Sequence, residues 1–213
     1  MSYKRFTTTP QQDFDFLKMA GLEPHHKLLD IGCGGGRLGY QLINYLNFEN
    51  YYAFDKEVQW ISNFKNSARI TGLQKEKNPT ILNTDFGWEI SDKVKFDYIY
   101  AFSVFTHVGP DLVGACLDNL KKHMKPTSKF YATIIEGSQT GFEYNSIHPN
   151  RAHEFLQARF DIDYFKNLVK EHGFTANILP EDLLYRQRVG PGTHEDANYS
   201  ENPIHQLLLL KLS

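Results

Sequence analysis

Residues 27–42 read KLLDIGCGGGRLGYQL. An apolar run, Leu28 to Ile31, carries the acid Asp30 and passes into five glycines: Gly32, Gly34, Gly35, Gly36 and Gly39. Leu38 to Leu46 then continues with helical spacing. Glycine loses more conformational freedom on folding than any other residue and packs nothing. A cluster of it between a strand and a helix therefore marks a turn whose backbone must stay bare. Such a turn lets a ligand approach the main chain closely and presents the N–H groups of a helix N-terminus.

Working outward, strand-like runs alternate with helical ones. Tyr51 to Phe54 reads as a second strand, and Val58 to Ile70 as a helix with Trp60, Ile61 and Phe64 on one face. Thr80 to Leu82 is a short third strand, and FDYIYAF, 96–102, a fourth. Past Gly109-Pro110, residues Leu112, Val113, Cys116, Leu117, Leu120 and Met124 recur at helical spacing up to Pro126. KFYATIIE, 129–136, is the fifth strand. A helix containing Tyr164, Phe165, Leu168 and Val169 ends at Gly173. Phe174 to Leu179 and Ile204 to Leu212 complete the set. Alternation of this kind predicts a single α/β domain over 1–213, doubly wound and Rossmann-like. Its seven-stranded sheet is mostly parallel with helices on both faces. Two segments break the rhythm, 137–160 and 180–203, both rich in Gly, Pro, Asn, His and Arg. Ligands of such sheets sit beyond the carboxyl ends of the strands, so both segments are expected to cover a substrate. The N-terminal segment 1–24, with Phe14, Phe16 and Leu17 at helical spacing, is expected to fold over the same cleft as a lid.

Composition narrows the classes. With 41% hydrophobic and 23% charged residues the chain reads as globular. A net charge of -2 argues against a nucleic-acid partner held by a basic face. The N-terminus lacks the apolar core of a signal peptide, and HQLLLLKL at 205–212 is too short to span a bilayer. Two cysteines, Cys33 and Cys116, are too few for a disulfide framework. A cytoplasmic setting without membrane insertion follows as the expectation.

The glycines permit two ligand classes. GGGRLG, 34–39, fits the dinucleotide pattern, but its register is late because the strand already ends near Ile31. D-I-G-C-G-G-G is the better frame. Asp55, about 20 residues on, stands where an acid hydrogen-bonds a ribose hydroxyl pair, which both classes contain. Asp30 separates them: a carboxylate beside the turn repels a pyrophosphate and suits a cofactor bearing an ammonium and a sulfonium.

Residues 25–136 thus resemble the class I S-adenosylmethionine-dependent methyltransferases. LLDIGCGGG is similar to their first motif, YYAFDKE to the second, LNTDF to the third and FDYIYAFSVFTHV to the fourth. The resemblance implies an antiparallel last strand. It also implies S-adenosyl-L-methionine as cofactor, with S-adenosyl-L-homocysteine as product. Asp30, Gly32, Gly34, Gly36, Asp55, Lys56, Asp85, Phe86 and Phe102 are the implied cofactor residues, Asp85 meeting the adenine amino group with Phe86 beside the ring. Each has a plainer reading too: Asp30 as a turn cap, Asp55 and Asp85 as loop acids, Phe86 as core.

The segment after the fourth strand bears on the acceptor. The Asn/Asp-Pro-Pro-Tyr of many amide and exocyclic-amine enzymes is replaced by Ala101-Phe102-Ser103-Val104, and the Pro-Cys of cytosine enzymes is missing. Asp97 starts the fourth strand rather than ending it, so no metal is expected. FTH is similar to methyltransferases of small molecules, sugars and lipid-linked glycans. His107 titrates near neutrality when unperturbed and is the preferred general base, with Glu136 in reserve. His148, Arg151, His153, Arg186, Arg188 and His194 in the two cover segments would bind an anionic small-molecule acceptor. Together these predict methylation of an oxygen on a small polar, anionic or saccharide-type acceptor. The alternatives are a small-molecule N-methyltransferase, a nonenzymatic cofactor-binding module and a nucleotide-dependent oxidoreductase.

Overall fold

A computed structural model describes residues 9–138, 140–146, 156–180 and 204–213. The substrate residues expected in the cover segments (His148, Arg151, His153, Arg186, Arg188 and His194) lie outside the described residues.

The first half is a run of strands and helices in alternation. It comprises α1 (Pro10–Met19), β1 (Leu28–Ile31), α2 (Gly39–Tyr45), β2 (Tyr51–Asp55), α3 (Val58–Ile70), α4 (Leu73–Lys77), β3 (Thr80–Asn83) and β4 (Phe96–Ala101). The second half adds α5 (Pro110–Lys121), β5 (Met124–Glu136), β6 (Phe142–Ser146), β7 (Leu156–Phe160), α6 (Ile162–Glu171), β8 (Phe174–Ile178) and β9 (Ile204–Leu212). Strands β3-β2-β1-β4-β5 are parallel neighbours, and the order reverses between β1 and β4. That reversal opens a crevice at the carboxyl end of β1, where the glycine turn stands. Strand β9 runs antiparallel to both β5 and β8.

Alternation along the strands divides the core. Leu28, Tyr51, Ala53, Tyr98, Tyr100 and Tyr131 face α1, α2 and α3, packing on Phe16, Leu17, Leu42, Ile43, Ile61 and Phe64. Leu29, Ile31, Ile99, Phe130, Ala132 and Ile134 face the other way, against Val113, Leu117 and Leu120 of α5 and Phe165 and Val169 of α6. Helices on both faces explain why β1 is buried at all four positions and reads as a continuous apolar run, Asp30 excepted.

The sheet departs from expectation in its size and in two boundaries. Among the described residues it has nine strands rather than seven, because β6 and β7 form an antiparallel hairpin inside the segment expected to be a cover loop. The FEYNS and LQARF runs alternate weakly and are short, so their strand pattern is masked by the polar residues around them. β5 already has β4 along one edge as far as Ala132 and β9 along the other from Phe130 to Glu136. β7 pairs with Ile135 and Glu136, so it must occupy the β4 edge beyond the end of β4. The Ala158 N–H donating to the Thr106 carbonyl at 2.9 Å ties it to the segment that follows β4. The cover is therefore partly a piece of the sheet. The second boundary is at Met124, which begins β5 instead of ending α5. Pro126 does not stop the strand: Ser128 Oγ accepts the Lys125 N–H at 2.8 Å and donates to the Phe96 carbonyl at 2.6 Å, bridging an irregular step in the β4–β5 register.

Candidate functional site

The turn after β1 is shaped by three glycines with positive φ: Gly32 at 66°, Gly34 at 54° and Gly36 at 80°. Their reasons differ. A Cβ on Gly36 would stand 2.2 Å from the Phe64 ring, and one on Gly32 2.5 Å from Val104 Cγ2, so these two let α3 and the β4 loop close on the turn. A Cβ on Gly34 would meet nothing within 4 Å. Gly34 leaves its space to the cavity above it.

Asp55, at the end of β2, holds this turn in place. Its Oδ2 accepts the Gly34 N–H at 2.9 Å and its Oδ1 the Glu57 N–H at 2.9 Å. A carboxylate has about four acceptor positions, so both oxygens retain capacity toward ribose hydroxyls.

Two cavities meet at Gly32. The first, about 440 Å³, is lined by Asp13, Asp30, Cys33, Gly34, Gly35, Arg37, Trp60, Tyr100 and Phe102 among others. Asp30 is buried there, its Oδ2 accepting the Tyr51 hydroxyl at 2.8 Å. Burial pushes its carboxyl up to about 7; the Tyr51 bond opposes this, and the charges of Asp13 and Asp55 add to it. Burial thus favours the neutral form of this acid, and a cation beside it would favour the charged one. Phe102 stacks on Tyr100, ring centroids 6.0 Å apart and planes 12° from parallel, giving the cavity an aromatic wall. The Cys33 thiol is pushed far up by burial, which makes it an inert small residue of the turn.

The second cavity, about 290 Å³, is lined by Phe54, Asp55, Lys56, Thr84, Asp85, Phe86, Ser103, Val104, His107, Val108 and Leu112 together with Gly32. Asp85 Oδ1 accepts the Gly87 N–H at 2.9 Å, which fixes the carboxylate at the loop after β3. Phe86 packs edge-on against Phe54 at 6.3 Å, and its carbonyl accepts Asn119 Nδ2 at 3.1 Å. Ser103 adopts φ 57°, unusual for a residue with a Cβ, and its N–H is held by Thr133 Oγ1 at 2.7 Å. That kink lets the chain leave β4 along the cavity floor.

Eight of the nine residues expected at a cofactor line these cavities; Gly36 serves the packing of the turn and lines neither. His107 is exposed and stands in the second cavity, on the Asp85 side, with Val108 and Leu112. Glu136 lines neither cavity: it ends β5 on the face of α5 and α6, where Gln206 Nε2 donates to its Oε2 at 2.8 Å. The geometry does not bring the two candidate bases together.

Sequence reasoning missed Asp13, Arg37, Trp60 and Tyr100 as cavity walls. Asp13 did leave a signal. The buried residues of α1 are Asp13, Phe16 and Leu17, spaced i, i+3, i+4, so an acid occupies a position on the apolar stripe.

Residues 29–130 match the model of a methyltransferase domain. Over these residues, just under half of the chain, the protein is similar to a methyltransferase domain. Solved structures agree in fold. A methyltransferase from Clostridium acetobutylicum ATCC 824, described as S-adenosylmethionine-dependent, superposes with a TM-score of 0.66 at 17% identity, covering 98% of this chain and 93% of that one. The glycopeptide N-methyltransferase MtfA, complexed with S-adenosylmethionine, gives 0.67 at 11% identity, with 100% of both chains covered. Magnesium protoporphyrin IX methyltransferase from Synechocystis PCC 6803, with bound S-adenosylmethionine, gives 0.59 at 14%, covering 96% and 80%. At these identities the likeness is one of fold. The matched methyltransferase domain accounts for β1 through the first half of β5. The hairpin β6–β7 and helix α1 lie outside it. Among the described residues no helix is long and apolar enough to cross a membrane.

Proposed function

We propose that this methyltransferase carries the methyl group of S-adenosylmethionine to an oxygen of a small polar acceptor, anionic or saccharide-type, in the cytoplasm. The observation that carries the cofactor reading is the pair of cavities joined at Gly32, acidic and aromatic on one side, with Asp55, Asp85 and Phe86 on the other. The donor set fits the cofactor: bare backbone at Gly34 for close approach, Asp55 for the ribose, Asp85 and Phe86 for the adenine, and Asp30 for the cationic end.

Bound there, the cofactor supplies a methyl group on an already activated sulfonium. What the protein adds is position and exclusion of water. Phe102 and Tyr100 give one wall an apolar face, and the backbone at Ser103 sets where the acceptor can enter. Lys56 borders the nucleoside side with a cation. For the acceptor proton, His107 is the preferred base and Glu136 the reserve. An acceptor hydroxyl served by His107 would enter beside Val108 and Leu112. The cationic side chains His148, Arg151, His153, Arg186 and His194 support an anionic acceptor by composition alone.

The test is turnover against pools of small hydroxylated and phosphorylated acceptors, read as release of S-adenosylhomocysteine, with the methylated atom located by NMR. Release without any acceptor product, or binding without release, favours a binding module. Methyl on nitrogen favours the N-methyltransferase alternative. With the acceptor in hand, His107→Asn should lower turnover about 100-fold while cofactor affinity survives. Near-equal rates and pH profiles in wild type and variant would end the case for a histidine base.

A further inference from the structure

The hairpin β6–β7 sets an arginine beyond the carboxyl end of β4. Strand β7 occupies the edge of β5 that β4 leaves free: Ala101, the last residue of β4, is level with Ala132, and Arg159 is level with Ile135. At about 3.3 Å per residue, Arg159 therefore stands about 10 Å past the end of β4. Its neighbours Ala158 and Phe160 are buried in the core against α5 and α6. Side chains alternate along a strand, so Gln157 and Arg159 face the other way, on the side where Tyr100 and Phe102 line the first cavity.

Both side chains are half-buried and unsatisfied. Arg159 Nε and Gln157 Oε1 are shielded from solvent, and neither has a hydrogen-bond partner. Glu143 stands opposite Arg159 on β6, yet among the described residues neither of the two belongs to an ion pair. The guanidinium leans over the backbone that follows β5, its Nη1 3.9 Å from the place of a Cβ on Gly137. A buried donor and a buried acceptor left unpaired two residues apart are costly until something fills them. Seen from its side, a guanidinium presents the parallel N–H groups of Nε and one Nη, which a carboxylate or phosphate accepts together. Building on the methyl-transfer reading above, we propose that Arg159 and Gln157 anchor the acceptor. Arg159 holds an oxyanion of it, carboxylate or phosphate, and Gln157 Oε1 accepts a hydrogen bond from a hydroxyl or amine nearby. The distance from the end of β4 makes the anion a handle, separate from the atom that is methylated. Glu143 opposes it by charge, so the site favours a ligand that engages both N–H groups. The hairpin lies beyond residues 29–130, so the anchor is an addition to the matched domain.

The experiment titrates the full chain, saturated with S-adenosylhomocysteine, with phenyl phosphate, benzoate and benzyl alcohol at constant ionic strength. Wild type, Arg159→Gln and Glu143→Gln are compared by calorimetry, and the Arg159 Nε–H resonance, identified by its loss in Arg159→Gln, is followed by NMR. At least one oxyanion should bind wild type saturably and move that resonance, the tighter of the two naming the anion, while benzyl alcohol leaves it in place. In Arg159→Gln that affinity should fall about 10-fold or more. In Glu143→Gln it should rise several-fold, because a like charge has gone. Affinity for S-adenosylhomocysteine should be the same in all three. No saturable shift with either oxyanion overturns the proposal, and so does equal binding in Arg159→Gln. A matching loss of cofactor affinity in Arg159→Gln also overturns it, making the arginine a support of the fold. Anion affinity that fails to rise in Glu143→Gln counts the same way. If wild type binds no S-adenosylhomocysteine, the methyl-transfer reading falls, and the same titration of the ligand-free chain still decides the anion site.

Discussion

Replacing Asp30 by Asn separates what the site costs from what it does. Burial raises the Asp30 carboxyl from 3.8 to about 7. A group whose folded value lies above its unfolded one binds its proton more tightly in the native state, so stability falls as pH rises between the two values. At about 1.4 kcal/mol per pH unit the native state loses about 4 kcal/mol between roughly pH 4 and pH 7, and nothing further above that. Asn keeps the size of the side chain and can still accept the Tyr51 hydroxyl, but it does not titrate. The stability gap between Asp30→Asn and wild type should therefore widen by about 3 kcal/mol from about pH 5 to about pH 8. For a chain of this length that is a melting difference of roughly 6–12 °C. The other ionisable groups around the carboxyl (Asp13, Asp55, Tyr51 and Cys33) are present in both proteins and do not create the difference. Ligand-free melts across this range are the assay. Cofactor binding should move the opposite way: in wild type it tightens as pH rises through about 7 and releases a proton, visible in calorimetry in buffers of different ionisation heat, whereas the variant binds weakly at every pH. Parallel melting curves would refute the buried, protonated acid. Undiminished affinity in the variant would refute its role in holding a cation.

Asp55→Ala should weaken S-adenosylhomocysteine binding by about 1–3 kcal/mol, because it removes a ribose acceptor and frees the Gly34 N–H from its strap; unchanged affinity by calorimetry would remove Asp55 from the site. Gly36→Ala should destabilise the fold by several kcal/mol, since its Cβ would lie 2.2 Å from the Phe64 ring in a backbone conformation with φ 80°. Gly34→Val should instead fill the open space above the turn, so that chemical denaturation shows the smaller loss of the two while cofactor affinity collapses. Deleting residues 1–12 removes Thr9, Pro10 and Gln12 from the cap of α1, worth about 1 kcal/mol in itself, and should loosen the lid enough to weaken cofactor binding; equal affinity and turnover in the truncated chain would count against a lid.

What the sequence makes legible is whatever a local pattern encodes. The glycine turn, Asp30 and Asp55 announce themselves because backbone conformation and charge are written in consecutive residues, and the alternation of β1 through β5 follows from apolar periodicity. The walls of the first cavity are different. Tyr100 reads only as a strand residue, and Trp60 as one of three apolar residues on a helix. Their common cavity exists because β4 lies beside β1 and α3 folds over the turn. Gly35 illustrates the point: a Cβ there would stand 3.2 Å from the Trp60 ring, a constraint set by a residue 25 positions away. The hairpin β6–β7 escaped because a strand of five residues, polar on one face, gains its identity from the free edge of β5 beyond β4 rather than from its own composition. The two candidate bases show the same limit from the other side. His107 follows β4, which lies beside β1, and Glu136 ends β5, one strand further out; sequence order expresses no more than that. Side-chain direction then divides them, sending Glu136 toward Gln206 and His107 toward Val108 and Leu112. Asp13 is the instructive exception. Its place on an apolar stripe departs from a local rule, and that departure is the one trace in residue order of the cavity wall it forms.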